Sequence, residues 1–360
     1  MSLFGENYLK KLDRIHSYPA KFTIDLALKY IEKYAKDDNA VLDPFCGSGT
    51  TLLASKQLGK KSFGFDINYI AYLITQAKLL NLNKEDTKNL REFSIQKGGI
   101  LQDYKSINHW FKDESITALS SIKYSIKEFC KDNKQYQIFL NLIFSSIINL
   151  ASNQESDTRY ASIEKKYLNE NYVYDKFKEK LKLAIDIFDN LAINNNETQQ
   201  VFLHNSKTLS QKLQKDSISL IFTSPPYPNT YDYYLYHKHR MLWLDFDVNF
   251  SMQNEIGSRR EYSSLKLPKE KFNNDLLEIF TQCQIVLRDN AHIVLVMGDG
   301  KIQGEIYNAK DEMLNIAKKL KWDLVDYSYT ELDNTSRSFK QSYRTKNKKE
   351  HILVFQKVAK

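Results

Sequence analysis

The chain is poor in the residues that staple or break a fold: its 360 residues hold three cysteines, six prolines and eleven glycines. Cys46, Cys130 and Cys283 are far apart, odd in number and without the paired spacing of a zinc site. No disulfide framework or metal site is expected, and free thiols suit a reducing cytoplasm. Long apolar runs are missing as well. The longest such stretch, Ile138 to Leu150, is broken by Asn141, Ser145, Ser146 and Asn149, which reads as a buried helix and not as a membrane span. Met1 to Lys10 mixes charge with short apolar pieces, so no signal peptide is expected there. Two phosphate-binding signatures are also absent: no G-x-G-x-x-G occurs, and Gly49 is followed by Thr50-Thr51-Leu52 where a P-loop needs Lys and then Ser or Thr.

What is present supports a folded chain with an anionic partner. A hydrophobic share of 42% is enough for a full core. The formal charge of +8 suits nucleic acid, because Lys and Arg release counterions from a phosphate backbone. The same excess also suits a solvated surface, so charge counts only as support.

Apolar residues at helical spacing from Thr23 to Tyr34 precede the short run Ala40-Val41-Leu42, a helix feeding a buried strand. A turn at Asp43 to Gly49, a helix from Thr50 and a strand Lys61 to Asp66 complete a βαβ unit. From about Leu82 the pattern becomes helical, through Ser115–Lys131, Gln135–Leu150 and Asn171–Leu191, and it closes at the polar run Asn194 to Thr198. Strand character resumes at Val201–Leu203 and Ser219–Thr223. The helix Asp275–Leu287 and strands Ala291–Met297, Trp322–Tyr329 and His351–Phe355 follow. The expected fold is α/β, a doubly wound, Rossmann-like sheet of seven strands with a mostly helical insertion. Its expected parts are residues 1–82, an insertion at 83–198, and 199–360.

Ligands in such sheets bind beyond the carboxyl ends of the strands where strand order reverses. Gly47 and Gly49 let backbone approach a ligand, the helix from Thr50 aims free N–H groups at an anion, and Asp66 can accept from two ribose hydroxyls. A bare G-x-G turn alone also fits a tight connection without a ligand. The full string Asp43-Pro44-Phe45-Cys46-Gly47-Ser48-Gly49-Thr50-Thr51 closely resembles motif I of the amino-group DNA methyltransferases, whose cofactor is S-adenosylmethionine. The resemblance implies that Asp43, Phe45, Gly47, Gly49 and Thr50 line the methionine end, with Asp66 and Ile67 at the ribose and adenine. His16-Ser17-Tyr18-Pro19-Ala20-Lys21-Phe22 looks like the family's motif X, which places Lys21 and Phe22 over the methionine carboxylate.

The strand ending at Thr223 runs into Ser224-Pro225-Pro226-Tyr227-Pro228, where three prolines in four positions stiffen the backbone and leave carbonyls free to accept. Alone, such a turn also fits a rigid loop or a proline-recognition ligand. An exocyclic base amine is a poor nucleophile. Acceptors at the Ser224 hydroxyl and the Pro225 carbonyl would aim its lone pair at a methyl donor, and Tyr227 would stack on a flipped-out base. Ser224-Pro225-Pro226-Tyr227 resembles motif IV of the cytosine-N4 branch, whereas adenine-N6 members more commonly begin with Asp or Asn. The implied activity is methylation of cytosine N4 in double-stranded DNA, without a metal, by an enzyme that is solitary or paired with a restriction endonuclease.

Two departures from the family accompany this. His204-Asn205-Ser206 stands where a Gly-Asp pair usually flanks the adenine, leaving Asn205 as the candidate contact, and the cofactor motif precedes the catalytic one, whereas many cytosine-N4 members are permuted. The insertion is either a target-recognition or clamp module or a scaffold. Arg259-Arg260 and the basic connection from Asn334 to Lys349 fit phosphate contacts or plain surface. Adenine-N6 methylation, RNA base methylation and a non-catalytic cofactor-binding subunit remain as rivals.

Overall fold

The computed structural model describes residues 10–19, 21–35, 40–191, 198–331 and 348–359. Most of the basic connection, residues 334–347, lies outside them, as do Ala20 and residues 194–197 of the polar run. The chain opens with α1 (Ile24–Tyr34), β1 (Ala40–Asp43), α2 (Thr50–Gln57), β2 (Ser62–Asp66) and α3 (Tyr69–Leu79). The insertion follows as α4 (Lys84–Arg91), the short α5 (Ile107–Trp110), α6 (Asp113–Cys130), α7 (Lys134–Ile148), β3 (Gln154–Ser156), β4 (Arg159–Ser162) and α8 (Glu170–Phe188). Then come β5 (Gln199–Leu203), β6 (Ile218–Thr223), α9 (Tyr233–Tyr236), α10 (Lys238–Trp243), α11 (Val248–Asn254) and α12 (Lys269–Val286). The last elements are β7 (Leu287–Gly298), β8 (Gly300–Ile302), β9 (Glu305–Tyr307), α13 (Ala309–Leu320), β10 (Trp322–Glu331) and β11 (Lys349–Lys357).

Seven strands form one mixed sheet in the order β10-β11-β7-β6-β1-β2-β5, with β11 antiparallel to both neighbours and the rest of the pairings parallel. Side chains alternate between its faces. Val41, Leu220, Phe222, Val294 and Val296 enter one core; Leu42, Ile221, Ile293 and Leu295 enter the other. The first core continues through α1 and α3 into the insertion, taking in Leu119, Ile143 and Phe177, so the helices of residues 83–198 build one of the sheet's two covering layers. Phe272, Leu276 and Phe280 of α12 and Met313 and Ile316 of α13 cover the opposite face.

The regular elements follow the pattern read from the sequence, with differences at short or polar segments. The helix expected from Asp275 begins at Lys269, because Pro268 stands at its N-cap in an extended conformation that starts the first turn earlier. Hairpins β3–β4 and β8–β9 were not expected, since strands of three or four residues carry too little alternation to register. Among the described residues no helix is long and apolar enough to cross a membrane, and the three cysteines are buried and free.

The topology fixes where a site can form. From β1 the chain steps outward to β2 on one side, while β6 pairs on the other, so the switch point lies between β1 and β6. The turns that follow these adjacent parallel strands are the two singled out in the sequence.

Candidate functional site

Asp43 ends β1 and is buried at 1% exposure. Its carboxylate accepts from Phe45 N (3.1 Å), Thr223 Oγ1 (2.6 Å) and Thr51 Oγ1 (2.5 Å). One side chain therefore ties the end of β1 to the end of β6 and to α2. Burial pushes its pKa up to about 6, against these hydrogen bonds. Beyond it the turn is held from three directions: Asp66 accepts from Gly47 N (2.9 Å), Thr75 donates to the Gly47 carbonyl (3.0 Å), and buried Lys78 donates to the Ser48 carbonyl (2.9 Å). Gly49 caps α2 at φ +80, and a Cβ there would lie 2.7 Å from Thr75 Oγ1. Only glycine fits.

After β6 the chain turns through Ser224 to Pro228. The Tyr227 ring packs on Gly298 at the end of β7, where a Cβ would lie 2.7 Å from its Cε2. The Tyr227 hydroxyl donates to Glu350 Oε1 at 2.8 Å and also bonds the Ser224 side chain. Asn229 N donates to the Gly257 carbonyl (2.8 Å) and Arg259 N to the Tyr231 carbonyl (3.3 Å), fastening the turn to the segment after α11.

Between the two turns lies a partly open cavity. Of the residues singled out from sequence, Phe45, Gly47, Asp66, Ile67, Asn205, Ser224 and Pro226 line it. The others stand behind or beside it. Lys21 pairs with Asp13 at 2.6 Å, Phe22 meets Phe222 edge-on, Thr50 is the buried first residue of α2, and Asp43, Gly49, Pro225 and Tyr227 are not part of the lining. Asn205 spends one acceptor on Lys207 N (3.0 Å) and donates to Asn254 Oδ1 (2.8 Å).

Sequence reasoning missed the segment from Ser251 to Ile256. Ser251, Asn254, Glu255 and Ile256 also line the cavity, Ser251 donating to the Ile67 carbonyl just after β2 (3.0 Å), and Tyr18 and Tyr233 add stacked rings 5.9 Å apart. Glu255 accepts from the backbone of Tyr233 and Tyr234, both at 2.8 Å, so a carboxylate that faces the cavity also caps the start of α9. Burial, reinforced by Asp232 and Asp66, pushes the Glu255 pKa up to about 8; burial likewise raises Asp66 to about 6. Gly257, at φ +74 with a Cβ position 2.9 Å from Phe272, is the one local sign that this segment runs in close quarters.

A second polar cluster braces the site from the insertion. Fully buried Arg240 on α10 donates to the Ser145 carbonyl (3.0 Å), bonds His237 Nδ1 (3.1 Å) and pairs with Asp157. His237 stacks on Tyr18 at 5.2 Å, and Tyr18 covers Gly47. The insertion thus reaches the glycine turn through a chain of packed groups.

Residues 3–77 match a family model described as DNA methylase. The chain is similar to Type II methyltransferase M.MvaI of Kocuria varians, 26% identical over 280 residues that cover 69% of this chain and 61% of that protein. It is also similar to Type II methyltransferase M.MjaII of Methanocaldococcus jannaschii, 24% identical over 388 residues, 81% of this chain and 73% of that one. Against Type II methyltransferase M.AvaI of Nostoc the figures are 26%, 64% and 53%. The chain thus spans between about half and three quarters of the length of these relatives. With a seven-stranded sheet whose two switch-point turns share one cavity, these similarities support an amino-group DNA methyltransferase family, of the N4 or N6 type, for this chain.

Proposed function

We propose that this chain moves the methyl group of S-adenosylmethionine to the exocyclic N4 amine of a cytosine flipped out of double-stranded DNA. The observation that carries the reading is a single cavity bounded by Gly47, Asp66 and Ile67 on one side and by Ser224 and Pro226 on the other.

The residues present fit the cofactor. α2 starts without a side-chain cap, leaving first-turn amides for a carboxylate. Asn68 lines the cavity, and its buried Nδ2 has no partner among the described residues. When bound, S-adenosylmethionine supplies an electrophilic methyl on a sulfonium. Asp66 accepts from ribose hydroxyls, Ile67 packs on the adenine and Asn205 meets its edge. Ser224 accepts from the target amine through its hydroxyl oxygen and Pro225 through its carbonyl, which orients the amine lone pair along the transfer line. The serine at position 224 favours cytosine, and the charge of +8 favours a phosphate backbone.

The test is to incubate the protein with unmodified DNA and labelled cofactor, digest to nucleosides and identify the product by mass spectrometry. N4-methylcytosine is expected, and Ser224→Ala should slow its formation by about a hundredfold, the scale of losing one oriented hydrogen bond at the reacting centre. N6-methyladenine would overturn the choice of base. Label in transfer RNA alone would overturn the choice of DNA.

A further inference from the structure

The lining of the cavity is electrostatically one-sided. Of the described residues that line it, two are carboxylic acids, Asp66 and Glu255, and none is Lys, Arg or His. Asp66 is tied down by Gly47 N and Asn68 N, while Glu255 sits across from it on the segment after α11, fixed by the amides of Tyr233 and Tyr234. Two such groups repel each other, and a cation placed between them relieves that repulsion. The cofactor assigned above carries one extra positive charge, on sulfur, relative to the thioether left after the methyl has gone.

We propose that Glu255 is the residue by which this cavity distinguishes the sulfonium cofactor from its uncharged thioether product. The proposal rests on the S-adenosylmethionine reading and adds to it a source of product release. While the sulfonium is present, the ionised Glu255 carboxylate is stabilised by it. Once the charge is gone, the pair Asp66 and Glu255 is again uncompensated, Glu255 takes a proton from solvent, and the cavity loses its preference for the occupant. The titratable groups that face Glu255 are Asp66 from β2, Asp232 at the start of α9, Tyr233 and Tyr234 on α9 and Tyr18 from the segment before α1. None of them supplies a positive charge. Because the empty-cavity Glu255 holds its proton up to about pH 8, sulfonium binding below that pH expels a proton and tightens as pH rises toward 8. Thioether binding has no such dependence.

The experiment is isothermal calorimetry of the full chain with S-adenosylmethionine and, separately, S-adenosylhomocysteine, in buffers of different ionisation enthalpy. For the wild type we expect proton release with the sulfonium ligand only. Glu255→Gln should lower the ratio of the two affinities by about tenfold, the effect of removing one close charge partner. Proton release in the wild type is read without any variant, so the test stands even if Glu255→Gln loosens α9. Equal proton release for both ligands, or a ratio that Glu255→Gln leaves unchanged, would overturn the role of Glu255 alone. Failure of the wild type to bind either ligand would overturn the cofactor reading and this proposal with it.

Discussion

Thr223→Val removes one hydroxyl and keeps the shape of a fully buried side chain, so its effect isolates the hydrogen bond to Asp43. Asp43 holds three donors, and the one from Thr223, at 2.6 Å, joins the two strands whose ends make the site. A hydrogen bond to an ionised group contributes about 1.5 to 3 kcal/mol net, and a neutral one about 1 kcal/mol. The native pKa of Asp43, about 6, lies above its ordinary value of 3.8. The folded state therefore binds the extra proton, and Asp43's contribution to stability falls as pH rises from about 4 to about 6. Losing the Thr223 donor raises the native pKa further and extends that decline upward. We expect Thr223→Val to cost about 2 kcal/mol at about pH 8, where the carboxylate is charged, and about 1 kcal/mol at about pH 5, where it is protonated. Urea unfolding followed by circular dichroism at both pH values measures this directly. Equal losses would show that Asp43 is not the partner that matters. Thr51→Val should behave alike, and the double variant should lose less than the sum, because both donors serve one carboxylate.

Gly298→Ala would push the Tyr227 ring from its seat and break its bond to Glu350; methyl transfer should drop by about tenfold or more while cofactor affinity, read by equilibrium dialysis, stays within about twofold. Arg240→Met leaves Asp157, His237 and the Ser145 carbonyl without their shared donor and should cost on the order of 3 kcal/mol in thermal or denaturant unfolding. Stability should also peak near about pH 6.5. His16, His237 and His239 are buried and held far below their ordinary pKa, chiefly by burial, so unfolding takes up their protons; each favours higher pH by up to roughly 1.4 kcal/mol per unit below about pH 6.5, opposed up to about pH 6 by Asp43 and Asp66, whose raised pKa makes stability fall as pH rises. Glu255, raised from 4.5 to about 8, opposes the histidines from about pH 4.5 to about pH 8, so above about pH 6.5, where the histidines no longer contribute, stability falls until about pH 8 and then levels. A melting temperature flat from about pH 6 to about pH 8 would contradict this assignment.

How much of the site was legible depended on whether its parts were local in the chain. Asp43 to Thr51 and Ser224 to Tyr227 are turns in which neighbouring residues act together, and the apolar runs before each mark buried strands, so the first could be placed at the switch point and the second at a strand end from sequence. Directions could not. Lys21 carries the right charge for an anion, yet Asp13, eight positions earlier, takes it at 2.6 Å. Tyr227 points where Gly298 leaves room and Glu350 offers an acceptor, partners 71 and 123 positions away. The insertion read as helices because its periodicity is local, whereas its sharing of a core with the sheet depends on contacts such as those of Phe177 and Phe222 with one apolar cluster. The far wall was the least legible part. Asn254 ends an ordinary short helix that Glu255 and Ile256 follow, and nothing in that tripeptide differs from a polar loop. What binds it to the site is a set of distant partners: Tyr233 and Tyr234 amides on the Glu255 carboxylate, Asn205 on the Asn254 side chain, and the Asn229 amide on the Gly257 carbonyl. A cavity needs walls from two directions, and a doubly wound sheet supplies only one of them from its own strand ends. The second must come from whichever loop crosses the turn after β6, held there by contacts between residues distant in the chain. A carboxylate placed there is therefore invisible as a motif and becomes a site residue only through the fold.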